Sequence, residues 1–237
     1  FGYKYYFQYS VTSYDQKVEV NIPRKSIQME RFQRLANQIG KEKVIWRYDP
    51  IFFNEYYDFE YHKKWFEYIA QKLENCTEKC VISFLDYYSK IKNRLIANGI
   101  LEVTENQMLE FAFYLSTIGK KYNIKVESCC EAINLESVGI EHGHCIDPDL
   151  INRICPQQYD FKKDKSQRQA CGCIESIDIG SYNTCKNGCV YCYANWKDNV
   201  ITNYDPLSPI LCSEILPDDK ISERTVKSCE LLQTKLF

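Results

Sequence analysis

An α/β fold of parallel strands, arranged as a complete or partial TIM-like barrel, is what this chain predicts, and three observations carry that expectation. Runs rich in β-branched and aromatic residues recur about every 40 residues. Amphipathic helical patterns fill the intervals between them. Strands separated by such long crossovers pair in parallel, because a tight hairpin cannot connect them. A doubly wound α/β sheet shares this rhythm and is the second choice, but no Gly-rich phosphate turn follows any of the strand-like runs.

Residues 3–11 (YKYYFQYSV) read as the first strand, followed by a polar linker that closes at Pro23. Phe32, Leu35, Ala36 and Ile39 then share one helical face, and Gly40 stops that helix. Residues 44–48 (VIWRY) form the second strand; Asp58 suits the N-cap of a helix that turns Phe66, Ile69, Ala70 and Leu73 inward. Residues 80–85 (CVISFL) are the third strand, and a helical stretch with Ile91, Leu95 and Ile96 ends at Asn98-Gly99. Thr104 and Gln107 make a capping box for a helix carrying Met108, Phe111, Ala112, Leu115 and Ile118, and residues 124–128 (IKVES) supply the fourth strand. Beyond residue 130 the alternation gives way to short helical patterns at 131–137 and 148–154 and a last one at 223–232. Residues 1–130 therefore read as a barrel portion, and 131–237 as a cysteine-rich segment and tail packed on it. The chain opens on Phe1, inside what reads as a strand, so a further N-terminal segment is expected.

With 237 residues and 45% apolar composition, the chain has enough material for a substantial core. No apolar run approaches the roughly 18 residues of a membrane span. Thirty basic against 32 acidic residues give a net charge of -2, which disfavours a broad nucleic-acid footprint while leaving a local groove open. The 13 cysteines crowd toward the C-terminal half and do not read as a disulfide framework, so a reducing, cytoplasmic location is expected.

In a barrel the working face lies at the carboxyl ends of the strands. Standing there are Tyr9 and Ser10, then Arg47 and Asp49, then Ser83 and Asp86, then Glu127, Ser128, Cys129 and Cys130. Of this polar ring, Arg47, Asp49, Asp86 and Glu127 are the candidate catalytic residues. Their plain alternatives are a local Arg47–Asp49 ion pair and a helix cap at Asp86.

The densest chemistry lies in residues 171–196, CGCIESIDIGSYNTCKNGCVYCYANW. Cys185, Cys189 and Cys192 stand as C-x-x-x-C-x-x-C with Tyr191 before the last. Three thiolates on one tight loop suit a [4Fe-4S] cluster and leave one iron without a protein ligand. A structural zinc is the alternative, although only Cys189 and Cys192 have the spacing of a zinc knuckle. Cys171 and Cys173 are surplus to that loop; with Cys145 and one of Cys129 or Cys130 they make a four-thiolate set for a second cluster or a zinc ion. His142 and His144 read as ordinary histidines more than as ligands. The basic run Lys162, Lys163, Lys165 and Arg168 reads as a solvated face, or as an offset to thiolate charge. Cys76, Cys80, Cys155, Cys212 and Cys229 read as small apolar residues.

The spacing of Cys185, Cys189 and Cys192 with Tyr191 resembles the cluster loop of radical S-adenosylmethionine enzymes, and CVYCYA from Cys189 resembles the loop of the spore photoproduct lyase branch. The resemblance implies an open iron that takes the methionine part of S-adenosylmethionine, with Tyr191 in the cofactor-binding loop and an electron donor as partner. Along nearly the whole chain, VIWRYDPI, CVISFLD, HCIDPDLI, DKSQRQACGCIESIDIGSYNTC and CVYCYANW resemble a bacterial domain of unknown function, number 1848 in its series. That likeness implies a cytosolic protein and an upstream Ser-Arg-Arg-Thr-Asp segment, and brings no activity with it. The chain departs from the radical superfamily in placing the loop after the last visible strand and in lacking a Gly-Gly-Glu motif. Two function classes stand open. One is an iron-sulfur enzyme of radical type acting on an unidentified small-molecule or macromolecular substrate. The other is a noncatalytic metalloprotein, whose cluster or zinc fixes the C-terminal segment while the barrel edge binds a partner. Nucleic-acid repair is a weaker third, suggested by the lyase-like loop alone.

Overall fold

A computed structural model describes residues 2–196, 200, 201, 204–223, 225 and 228–231. Its centre is one sheet of five strands, β1 (Phe7–Ser10), β2 (Val44–Ile51), β3 (Lys79–Phe84), β4 (Lys125–Ser128) and β5 (Glu141–His142). They lie in the order β1-β2-β3-β4-β5, and every neighbouring pair is parallel. The α/β class and the parallel pairing are as the sequence predicts. A closed barrel is not formed among the described residues: β1 and β5 are the open edges, and five strands fall short of the eight that close a TIM barrel. The architecture is an open, all-parallel α/β sheet, consistent with the doubly wound alternative.

Among the described residues five helices connect and cover the strands: α1 (Lys25–Ile39), α2 (Phe59–Leu73), α3 (Lys92–Ala97), α4 (Glu105–Lys121) and α5 (Pro148–Ile154). The expected signals operate where they were read. Gly40 takes φ 96° after α1, which a side chain rarely adopts, and its amide bonds the Ala36 carbonyl. Asp58 caps α2 by accepting from the Tyr61 amide, and Thr104 and Gln107 close the capping box of α4.

Side-chain alternation divides the sheet into two faces. Val44, Trp46 and Tyr48 of β2, Cys80, Ile82 and Phe84 of β3, and Val126 of β4 pack with Phe32 of α1, Phe66 of α2 and Phe111 of α4 in the main core. Trp46 and Phe66 stack with ring centroids 4.8 Å apart. On the opposite face, Ile45 and Val81 pack under Leu150 of α5. The register aligns Arg47 with Val81, and Val81 with Glu127, which sets the carboxyl ends of β2, β3 and β4 level with one another.

Three elements differ from expectation. β1 has four residues rather than nine; Tyr3 and Tyr5 are exposed, and the Tyr6 hydroxyl instead bonds the Cys145 carbonyl at 2.6 Å. β5 was not anticipated, because two residues carry no periodicity. Residues 131–137 hold only a short 3-10 turn, Glu136–Val138, while the helix expected at 148–154 is α5. Of the terminal helix expected over 223–232, the described residues 223, 225 and 228–231 are not helical, and Glu230 instead makes an antiparallel bridge with Tyr159; the other positions lie outside the described residues. Among the described residues no helix is long and apolar enough to cross a membrane.

His62 on α2 is wholly buried and faces Phe52 O at 3.0 Å through Nε2, so that nitrogen carries the proton; Nδ1 accepts from the Tyr48 hydroxyl at 2.7 Å. Burial pushes its pKa down to about 4. The folded state thus excludes a proton that the unfolded chain binds below about 6.5, so the stability contributed by neutral His62 is present above 6.5 and is lost as pH falls toward 4. Chemical denaturation should show this residue removing about 2 kcal/mol between pH 7 and pH 5. In His62→Gln that part of the pH slope should vanish; an identical slope in both proteins would place the titrating group elsewhere.

Candidate functional site

The carboxyl end of the sheet opens into a cavity of about 730 Å³. Strand alternation turns Arg47 and Asp49 of β2 and Ser83 of β3 into it, and the turn after β4 adds Cys129 and Cys130. Arg47 Nε donates to Asp49 Oδ2 at 3.0 Å, and Nη2 reaches the same oxygen. Nη1 bonds Gln8 Oε1 of β1 and meets Cys145 Sγ at 2.9 Å. Asp49 accepts on its other oxygen from the Ser83 hydroxyl. The plain alternative of an Arg47–Asp49 ion pair is thus present, yet the guanidinium also extends across three chain segments. Asp86 pairs with Arg168 at 2.7 Å and brings this last member of the basic run to the cavity rim.

The five cysteines singled out as a second set line this one cavity: Cys129, Cys130, Cys145, Cys171 and Cys173. Cys129 Sγ stands 3.0 Å from Cys145 Sγ, and the Ile146 amide donates to Cys173 Sγ at 3.4 Å. Hydrogen bonds from Cys129 and Cys173, aided by the Arg47 charge, hold the Cys145 thiol well below the ordinary range, while the same bond pushes Cys129 up. The segment from 171 to 174 is positioned by a bridge between Lys163 and Ile174 and by the Asp164 amide on the Cys173 carbonyl at 2.9 Å.

Cys185, Cys189 and Cys192 lie on a loop that docks elsewhere on the same half of the molecule. Although late in sequence, this loop seats against residues 18–21, just beyond β1. The Val190 amide bonds Val18 O at 2.9 Å and the Asn21 amide bonds Asn187 O at 3.0 Å. Tyr191 packs by Tyr14 and Phe52, and its hydroxyl donates to Glu19 Oε1 at 2.6 Å. Glu19 is buried and neutralised by Lys25. Arg94 of α3 holds the carbonyls of Cys192 and Asn195, and the Asn195 amide holds that of Cys185. Cys185 is exposed and the other two are half-buried. Burial, then the charge of Glu19, then the neighbouring thiols push Cys189 up to about 11. Tyr193 carries this loop to the wall of the cavity, where its ring lies 4.9 Å from that of Tyr88.

Tested against a cluster, this loop fits in kind: three thiols on one short loop whose carbonyls are tied from both sides. Among the described residues no group of three or more His, Cys, Asp or Glu already stands at metal-holding geometry. Glu127 is apart from the cavity, paired with Lys79 at 2.8 Å and Lys125 at 3.0 Å beside β5. His142 and His144 line that neighbouring hollow with it. Ser128 is buried against Glu141 O, and Tyr9 packs on Phe32. Sequence reasoning missed Glu19, Lys25 and Arg94, which read as linker and helix surface. It also missed Glu131, which accepts from the Phe84 amide at 2.7 Å and is pushed up to about 7 by burial.

A family model described as a domain of unknown function, DUF1848, matches residues 1–194. No curated protein and no solved structure matches the chain.

In the reduced, metal-free protein, Cys145 should be the thiol of the cavity that alkylates fastest at pH 6, since the thiolate is the nucleophile. Arg47→Met removes its one cationic donor and should slow that reaction several-fold, read by peptide mass spectrometry. An unchanged rate would mean that Arg47 does not hold the charge on Cys145.

Proposed function

We propose, from the premise that the chain belongs to the DUF1848 family, that it is an iron-sulfur protein of radical type. Cys185, Cys189 and Cys192 would ligate three irons of a [4Fe-4S] cluster. The observation that carries this reading is the placement of the loop, tied down by Glu19, Arg94 and Asn195 while its Tyr193 forms part of the cavity wall. When bound by these three cysteines, such a cluster would supply one-electron reducing chemistry, for which S-adenosylmethionine would be the cofactor.

The chain's own groups would do the rest. Arg94 and Asn195 donate hydrogen bonds to loop carbonyls and would fix the thiol-bearing backbone. Glu19 holds the Tyr191 ring in the apolar cluster beneath the loop. The cavity offers Arg47, Asp49, Asp86 and Arg168 to a polar substrate, small or macromolecular, and an external one-electron reductant would be the partner. The strand order, each strand beside its predecessor, matches the wall of a partial barrel and would place these residues on its working edge.

A second reading has its own observation. The loop makes backbone bonds to residues 18–21, so a cluster or zinc there could serve only to staple the C-terminal segment to the sheet.

Anaerobic reconstitution separates the two. The protein should bind about four irons at the loop and show a broad charge-transfer absorption; Cys185→Ala, Cys189→Ala or Cys192→Ala should each remove it. S-adenosylmethionine should perturb the reduced protein's electron paramagnetic resonance signal and yield 5'-deoxyadenosine. A cluster indifferent to S-adenosylmethionine would leave only the staple, and a colourless loop holding zinc would overturn both cluster readings.

A further inference from the structure

Five thiols converge on one wall of the cavity from three separate stretches of chain, and none of them belongs to the Cys185 loop. They form an unbroken series: Cys129 meets Cys145, Cys145 contacts Cys173, Cys173 contacts Cys171, and Cys171 contacts Cys130. We infer that Cys129, Cys145, Cys171 and Cys173 form a second metal site, a tetrahedral zinc held by four thiolates, independent of the chemistry proposed for the loop.

Three features support the assignment. The backbone is built to bring the sulfurs together: Tyr6, just before β1, and Gln8 of β1 both hold the Cys145 carbonyl, at 2.6 and 2.5 Å. Gly172, between two of the ligands, lies against the His144 ring; a Cβ there would stand 2.4 Å from it and displace the ring, so the absence of a side chain lets the two segments approach closely. The thiols also have donors suited to thiolates, the Arg47 guanidinium on Cys145 and the Ile146 amide on Cys173. Bonds of this kind orient metal-bound sulfur and spread its charge.

Size favours a single ion. Two sulfurs on one tetrahedral zinc stand about 3.8 Å apart, given Zn–S bonds of about 2.3 Å. Cys129 and Cys145 at 3.0 Å need to part by less than one ångström, a movement open to cysteines at the ends of short turns. A cubane has to admit four irons and four sulfides between its ligands and demands a much larger opening. On binding, each thiol that coordinates releases its proton to solvent, and no electron is transferred.

The test uses the full chain with Cys185, Cys189 and Cys192 all replaced by alanine, so that the loop cannot contribute. Titrated with zinc against a chromophoric chelator, this variant should still bind one equivalent, and cobalt in its place should show thiolate charge-transfer bands. Adding Cys145→Ser or Cys173→Ser should weaken zinc by at least about tenfold. The intact, iron-loaded protein should carry one zinc beside its irons, a readout that needs no substitution in the sheet. Absence of zinc from both proteins, iron and sulfide in its place, or a Cys129–Cys145 disulfide in anaerobically isolated protein would each overturn the assignment. None of these results would bear on the Cys185 loop, whose iron is counted separately.

Discussion

A largely buried guanidinium has to be paired and hydrogen-bonded on every side, and Arg47, with 15% of its side chain exposed, meets that demand by drawing together parts of the chain distant in sequence. Asp49 from its own strand supplies the counter-charge, Gln8 reaches in from β1, and Cys145 arrives from beyond β5. Removing any of these partners strands charge at the carboxyl edge of the sheet. The register of β1, β2 and β3 makes the arrangement possible, because Arg47 lies beside Ser10 on one side and Val81 on the other, with its side chain on the face that α5 only partly covers. The cavity is the uncovered remainder of that face.

The second constraint is Glu19. A carboxylate that is 3% exposed is stable only with compensation, and here it has Lys25, the Thr12 hydroxyl and the Tyr191 hydroxyl. Through Tyr191 this buried pair reaches across 172 positions to the late cysteine loop and fixes it beside the segment that follows β1. A loop that follows the last strand in sequence thus comes to rest next to the first strand in space.

Much of the fold could be read from residue patterns because the signals were local. Asp58, the Thr104–Gln107 box and Gly40 each act within one turn of helix, and the apolar runs of β2 and β3 are long enough to declare themselves. Barrel closure was not readable, since closure depends on strand number and stagger rather than on any single run. Arg47, Asp49, Ser83 and Asp86, grouped by the strand-end rule, line one cavity, whereas Glu127 does not, because the rule counts position along the strand without asking what stands beside it. Lys79 and Lys125, on the same face and two register rows away, take that carboxylate. The five-thiol convergence was legible as a set of surplus cysteines. Its geometry needed the sheet, because nothing within residues 129–173 says that β5 returns Cys145 to the side of Cys129. Glu19 and Arg94 left no trace in the sequence: a buried charge in a linker looks like any polar residue until its partners are known.

The central proposal is that the Cys185 loop and the Cys129, Cys145, Cys171 and Cys173 thiols are two chemically distinct metal centres, the second lining the cavity at the carboxyl edge of the sheet and the first reaching its wall through Tyr193. A crystal structure of the anaerobically purified protein, with anomalous data collected on both sides of the iron and zinc absorption edges, tests it most directly. Two anomalous sites are expected: iron within the Cys185, Cys189 and Cys192 loop, and zinc among Cys129, Cys145, Cys171 and Cys173 with sulfurs at about 2.3 Å. No anomalous scatterer at either set of thiols, or one metal of a single kind drawing ligands from both, would contradict it.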